Sequence, residues 1–436
     1  MKQIRHLLLV LCSATLATPM LSAQTHHHHA EEYSPTVYIT SKEHHKSDAH
    51  HKVVDRFKDT HRCGFQQTQP PQFIFTSQDK RFALGIGGYV NLRSSYDFNG
   101  AMGNIDFVPY DIPMSQGYAN KQRIMMDAST SRLFVKAVVQ SEKLGQVLVY
   151  ADMDFRGGAE FTYIPRLRSA YINLKGFTIG RDVTTFCDLN AAPTTIDFQG
   201  PNAYNFRFAT MIRYEHSFLD NHLKAGVAAE MPSVSGTYGE TLMAIPQRVP
   251  DFPIYLQYSW GKNRDSHIRA SAVFRDMYLY NSARSSEDDL FGWGVQFSGN
   301  IHITKYLELF MNGIYGEGIT RYINDLMGSG LDFTPRPNDA TRVQATPMFG
   351  WQAAAQINLL PNLFVSGGYS AVTVRKKNGI YSEDMYKQGQ YIFGNVFWNL
   401  TPRFALAAEY LYAHRKNMDG NKAHANRINL LAKYSF

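Results

Sequence analysis

The sequence has 436 residues, a formal net charge of +7 at pH 7, 13% aromatic residues, 32 glycines and a mean hydropathy of −0.31. That charge is too small for a general nucleic-acid binder, and three cysteines do not make a disulfide framework. No apolar run approaches the roughly 20 residues that a membrane-spanning helix needs.

The first residues point to export. Lys2 and Arg5 precede the apolar run Leu7 to Leu11, and Leu21-Ser22-Ala23 precedes Gln24. This is the pattern of a secretory signal peptide over 1–23, cleaved after Ala23. Cys12 would leave with it, and Leu11 is too large for the residue before a lipidated cysteine. Residues 24–79 read as a polar, His-rich periplasmic extension, partly helical around Val53, Val54 and Phe57. The pairs His44, His45 and His50, His51 offer imidazoles to zinc or copper, but no cysteine or carboxylate cluster fixes a geometry. No metal site and no cofactor are expected.

From residue 80 to 436 the pattern changes. Segments of ~10 residues with period-two alternation recur, separated by polar turns, which is the signature of a transmembrane β-barrel. Phe82, Leu84, Ile86, Val90 and Leu92 form one face of the first, and Tyr89, Asn91 and Arg93 the other. Short connections such as 141–145, 219–221 and 361–362 alternate with long ones at 99–122, 183–206, 231–251 and 317–349. Sixteen strands are expected, from 82–98 to 425–436, an even number that lets an all-β antiparallel barrel close with both ends on one side. A barrel of about 16 strands leaves an aqueous channel, whereas about eight would fill with side chains. The terminal Phe436 on an amphipathic last strand resembles an outer-membrane assembly signal.

With the apolar face assigned to lipid, the inward face is basic. It carries Arg93, Arg132, Lys136, Arg156, Arg207, Arg213, Lys224, Arg269, Arg275, Arg427 and Lys433. Inward acids are fewer: Asp152, Asp154, Glu215, Glu230, Glu308 and Glu409. Cationic rings in a low-dielectric pore favour anions, and arginine can hold a carboxylate through two parallel hydrogen bonds. Two phases fit the strand at 165–175: either Arg166 and Arg168 face inward with Ala170 and Ile172, or Leu167, Ser169 and Tyr171 do. The loop 183–206 contains Phe186, Asp188, Pro193, Asp197, Gly200 and Asn202. Its proline and glycine breaks suit a segment that folds into the pore and narrows it.

Four motifs around that loop carry a resemblance. Arg168-Ser-Ala-Tyr171, Phe177-Thr-Ile-Gly180, Thr185-Phe186-Cys-Asp188 and Pro193-Thr-Thr-Ile-Asp197-Phe198-Gln-Gly200-Pro201-Asn202 resemble the DcaP-like porins. The resemblance implies a trimeric, sixteen-stranded outer-membrane channel associated with uptake of dicarboxylates and other small anions. It also implies that Asp188 to Asn202 lines the constriction, opposite arginines such as Arg132, Arg168, Arg181, Arg207 and Arg213. One feature departs from the family. Its periplasmic extension forms a coiled coil, whereas the extension here lacks sustained heptads.

The expected function is therefore a passive, anion-preferring outer-membrane porin. Its partners would be lipid, small anionic solutes and two further copies of itself. An enzyme is not expected: there is no Gly-x-Ser-x-Gly, and the rim pair Ser266-His267 lacks a catalytic constellation. The alternative is a surface receptor or adhesin that binds through the loops 231–251 and 317–349.

Overall fold

The computed structural model describes residue 68 and residues 70–436 apart from positions 78, 80, 116, 160, 262, 337, 338 and 378–381, together with the backbone of the short strand Val37–Ile39. The expected leader over 1–23, most of the extension, and His44, His45, His50 and His51 lie outside the described residues.

Sixteen antiparallel strands form a closed barrel, as the alternation required. They are β1 (Phe82–Asn99), β2 in two pieces (Arg123–Asp127 and Arg132–Ser141), β3 (Gly145–Asp154), β4 (Arg166–Leu174), β5 (Phe177–Val183) and β6 (Phe208–Phe218). Next come β7 (Leu223–Glu230), β8 (Phe252–Trp260), β9 (Ser266–Asn281), β10 (Ser286–His302) and β11 (Leu307–Glu317). The last are β12 (Pro347–Leu360), β13 (Leu363–Val374), β14 (Tyr386–Asn399), β15 (Phe404–Asn417) and β16 (Lys422–Ser435). Each strand pairs with the next, and β16 returns to β1 from Asn426↔Asn99 to Ser435↔Tyr89. No barrel edge is left open, which a lipid environment demands because it offers no water to unpaired backbone groups.

The wall is apolar outside and polar inside. On β1, Val90 and Leu92 are 60% and 48% exposed, while the intervening Asn91 and the following Arg93 are buried. Leu133 and Val135 face out beside them, and Arg132 and Lys136 face in. Near the short turns, Phe82, Phe177, Phe218, Tyr258, Tyr306, Trp398 and Tyr434 form an outward aromatic girdle of the kind that marks a membrane–water interface.

Two bulges adjust the wall. In β2, Asp127 pairs with Arg93 and Arg132 with Tyr89, so 128–131 accommodate one extra residue. Asn91 N–H donates to Ser131 Oγ (3.1 Å) and Thr130 Oγ1 donates to Asn91 Oδ1 (2.9 Å), repairing the ladder there. In β4, Ser169 opposes Asp152 and Leu167 opposes Met153, which leaves Arg168 as the extra residue. Both expected phases of this strand are therefore half right. Arg168 and Ser169 are each buried on the inner side, and Leu167 and Ile172 are about half exposed on the outer side.

Below the end of β16, the strand Phe73–Thr76 pairs with Ala83–Ile86 of β1. Phe436 N–H donates to Gly88 O just above it (2.9 Å). Ile74 packs inward on Ala83, Val138 and Leu148, so the segment before β1 closes the base of the seam.

Candidate functional site

The connections at one end of the barrel are short. At the other end, the loops 100–122, 184–207 and 318–346 bury much of their length inside the barrel. Loop 184–207 runs along the inner wall and is fastened strand by strand. Near its start, Thr184 Oγ1 and Thr185 N–H both donate to Glu230 on β7, each at 2.6 Å. Asp188 is then held by His267 Nε2 on β9 (2.8 Å) and by Ser298 Oγ on β10 (2.7 Å). Burial raises the Asp188 carboxyl, but His267 and the neighbouring Arg269 outweigh it and bring it down to about 2. Gln352 on β12 donates to Ala191 O (3.0 Å), and Asn395 on β14 donates to Thr194 O (2.9 Å). At the tip, Ile196 and Asp197 N–H donate to Glu409 on β15 (2.9 and 2.8 Å). Phe186, Asp188, Pro193, Asp197, Gly200 and Asn202 are all buried within the barrel. Gly200 turns the chain with φ +71°, a backbone state that suits glycine.

Most of the inward arginines are matched by acids. Arg93 reaches Asp106 and Asp127 (3.5 and 3.3 Å), Arg132 pairs with Asp152, and Arg168 with Asp154 (2.8 Å). Arg213 pairs with Asp182 (2.8 Å), Arg275 with Asp251 and Asp332, and Arg427 with Asp97 (2.6 Å). Lys136 is buried on the inner face. Arg207 and Arg269 differ: among the described residues neither is in ion-pair contact with a carboxylate. The Arg269 guanidinium lies 3.6 Å from the Tyr255 ring centroid and donates to Ser271 Oγ and Thr185 O. Arg207 closes loop 184–207, its carbonyl accepting from Thr184 N–H (2.8 Å). Burial, then the like charges of Arg321 and Arg275, push Arg207 down to about 10, so it stays cationic at neutral pH.

Arg181 departs from expectation. It lies opposite Ala170 on β4 and Thr210 on β6, whereas Asp182 bonds the inward Ser169 and Arg213. Arg181 therefore stands on the outer face with Ile179 and Ile212, beside its exposed register partner Thr210, with its Nε donating to Leu167 O (3.3 Å) and its guanidinium over the Phe208 ring (5.6 Å). Its resemblance-based placement in the pore is corrected.

Phe198 falls in the segment expected at the constriction, but its place against the arginines, and the inward folding of loops 100–122 and 318–346, were not foreseen. Phe198, at the tip of loop 184–207, lies under the guanidinium groups of Arg156, Arg168 and Arg93 (4.9, 5.3 and 5.8 Å). Asp106 on loop 100–122 bridges Arg156 and Arg93. On loop 318–346, Tyr322, Ile323 and Leu326 pack with Phe186, Val273 and Met348. A signal for both loops exists in the sequence: Met102, Ile105, Phe107 and Ile112, like Tyr322, Ile323 and Leu326, would be wasted on water in outward loops. His267 serves as a loop latch. Its neighbour Ser266 is tied to His302 N–H (2.9 Å), and Ser298 donates to Asp188 rather than to the imidazole.

A family model for the DcaP outer membrane protein matches residues 74–436. Among solved structures, the outer membrane channel DcaP of Acinetobacter baumannii aligns with a TM-score of 0.70 at 19% identity, covering 83% of this chain and 99% of that one. OmpT of Vibrio cholerae aligns with a TM-score of 0.51 at 11% identity, covering 82% and 98%. OmpF of Salmonella typhi, in complex with daunomycin, aligns with a TM-score of 0.51 at 11% identity, covering 82% and 99%. At these identities the solved structures speak to the fold alone. No curated protein matches the sequence.

Proposed function

The chain belongs to the DcaP outer membrane protein family, a porin-type channel family, and on that premise we propose that its lumen passes small hydrophilic solutes passively and prefers anions. The observation that carries the anion preference is the pairing pattern. Most inward guanidinium groups are ion-paired with carboxylates, whereas Arg207, Arg269 and Arg415 form no such pair among the described residues. Fixed positive charge between low-dielectric walls attracts anions and repels cations. The test is the reversal potential across a planar bilayer in a potassium chloride gradient. Anion permeability should exceed cation permeability at low salt, and the double variant Arg207→Gln, Arg269→Gln should bring the ratio towards one. A cation-preferring wild type would sink this assignment.

Export by the leader 1–23 and assembly as a homotrimer belong to the same reading. Support for assembly comes from the outer face of β3 to β6. There Arg181 projects among Ala151, Ala170 and Thr210. An arginine on a lipid-facing wall is costly, by up to about 2–4 kcal/mol at the bilayer midplane and less towards the interfaces, and small neighbours let a second wall approach closely. Light scattering on detergent-solubilised protein tests the trimer. The receptor alternative is weaker, because loop 318–346 turns its apolar residues inward rather than presenting them outside.

A further inference from the structure

The three inward loops meet at one carboxylate. Asp325, on loop 318–346, is 2% exposed. Its Oδ1 accepts the Tyr110 N–H of loop 100–122 (2.9 Å). Its Oδ2 accepts Asn202 Nδ2 of loop 184–207 (3.2 Å) and the Tyr386 hydroxyl of β14. The Asp325 N–H donates in turn to Asn202 O (3.0 Å). Beside it, Asn324 and Gln199 exchange side-chain-to-carbonyl bonds, each of 2.8 Å. Arg415 of β15 stacks over Tyr110 and Tyr386 (5.2 and 5.9 Å) and donates to Tyr110 O. The barrel wall makes room for this knot. A Cβ at Gly389 of β14 would press on the Tyr386 hydroxyl and lie 2.5 Å from Asp325 Oδ2 and 2.9 Å from Pro109 Cβ, so a side chain there must push these groups aside.

We infer that Asp325 is the positioning residue that binds loops 100–122, 184–207 and 318–346 into one constriction, so that their joint arrangement sets the aperture; this rests on the channel assignment but not on its anion preference. A loop held only at its own ends would fluctuate. Here each loop is fixed by the other two through a shared buried acceptor, whose removal leaves donors from three elements unpaired. The groups facing Asp325 are Tyr110 and Asp111 from loop 100–122, the uncharged Asn202 from loop 184–207, Tyr386 from β14 and Arg415 from β15. Burial, with Asp111 adding to it, raises the Asp325 carboxyl to about 6 against those hydrogen bonds. Because the folded value lies above the ordinary 3.8, the group's support is complete below that value and is lost as pH rises through about 6.

The test uses the full-length protein in planar bilayers, reading single-channel conductance and the exclusion limit for neutral polyethylene glycols. Asp325→Ala should raise conductance about twofold, admit larger polymers and add open-channel noise. Gly389→Ala changes no charge and should shift the same two readouts by unseating Asp325 and Pro109. Asn202→Ala combined with Asp325→Ala should add nothing to Asp325→Ala alone, since both sever one linkage. Asp325→Asn should lose the change in noise that the wild type shows near pH 6. If Asp325→Ala does not fold, Gly389→Ala and Asn202→Ala carry the test. Wild-type conductance and exclusion limit in the folded knot variants would overturn the inference. Reversal potentials from the same bilayers keep the two assignments apart: loss of anion preference with these effects intact strikes only the selectivity.

Discussion

Glu409 offers the sharpest perturbation of loop 184–207. It lies on β15, 2% exposed, and among the described residues it forms no ion pair with an arginine. Its two oxygens accept four N–H groups: Ile196 and Asp197 of the loop (2.9 and 2.8 Å), and the amides of Asn395 and Asn429 (both 3.1 Å). Glu409→Ala orphans all four. Asn395 still donates to Thr194 O, so the loss to the loop is concentrated in the two backbone bonds at its tip. A hydrogen bond to a charged group contributes about 1.5–3 kcal/mol, so the pair contributes about 3–6 kcal/mol. At roughly 1.4 kcal/mol per factor of ten, even the lower figure shifts the tip's attachment about 100-fold. What still restrains the tip is Tyr391 on Asp197 (3.0 Å), Phe107 N–H on Asp197 (3.1 Å) and Phe198 against its arginines. Glu409→Ala should therefore show a noisier open channel and a larger polymer exclusion limit. Its thermal unfolding should move little, because the pairing of β15 with β14 and β16 is backbone-made. Glu409→Gln, which keeps one acceptor oxygen, should lie between. A Glu409→Ala channel with wild-type noise and exclusion limit would refute the latch. A large drop in Tm with unchanged conductance would reassign Glu409 to wall packing.

Three further outcomes follow from the same geometry. Arg181→Leu should leave conductance and reversal potential unchanged, since the side chain is outside the lumen, while weakening the association of copies seen by light scattering; a changed reversal potential would contradict the outward placement. Asp188→Ala should cost about 2–4 kcal/mol by orphaning His267 and Ser298, readable as faster proteolysis within 184–207 in detergent. Because Asp188 is depressed to about 2, its support is present above the ordinary 3.8 and should fade only as pH falls through about 2. Asp197 runs the other way: burial, Asp106 and Glu409 raise it to about 7, so its support is present below 3.8 and is lost as pH rises through about 7. Open-channel noise should grow between about pH 6 and pH 8, and Asp197→Asn should abolish that component.

The barrel was legible because lipid imposes a rule on every second residue. Val90, Leu92, Leu133 and Val135 could be placed from alternation alone. The failures sit where that rule loses its footing. At Arg168 a single inserted residue changes the phase of β4, and apolar side chains occur on either phase, so Leu167 and Ile172 cannot both be explained by one alternation. At Arg181 the strand has seven residues, and Gly180 carries no facing information. Counting by twos from Thr178 to Asp182 would have placed Arg181 outside; residue type and resemblance placed it inside.

The deeper difficulty is that an inward polar side chain has two possible fates, water or loop. Glu230 and Glu409 read from sequence as acids of an aqueous lumen, yet each accepts backbone N–H groups from loop 184–207. Ile196 and Glu409 are 213 residues apart, so no spacing could have announced their bond. The consequence reaches the charge of the channel. A sum over inward residues counts Arg93, Arg168, Arg213 and Arg427 as attractors for anions, whereas each is held by a carboxylate within about one hydrogen-bond length or a little more. What a passing solute meets is the remainder after the loops have taken their partners. On the proposed reading, the arginines left without an acid, Arg207 and Arg269 among them, would carry the anion preference, and substituting the paired arginines should loosen the structure before it changes selectivity.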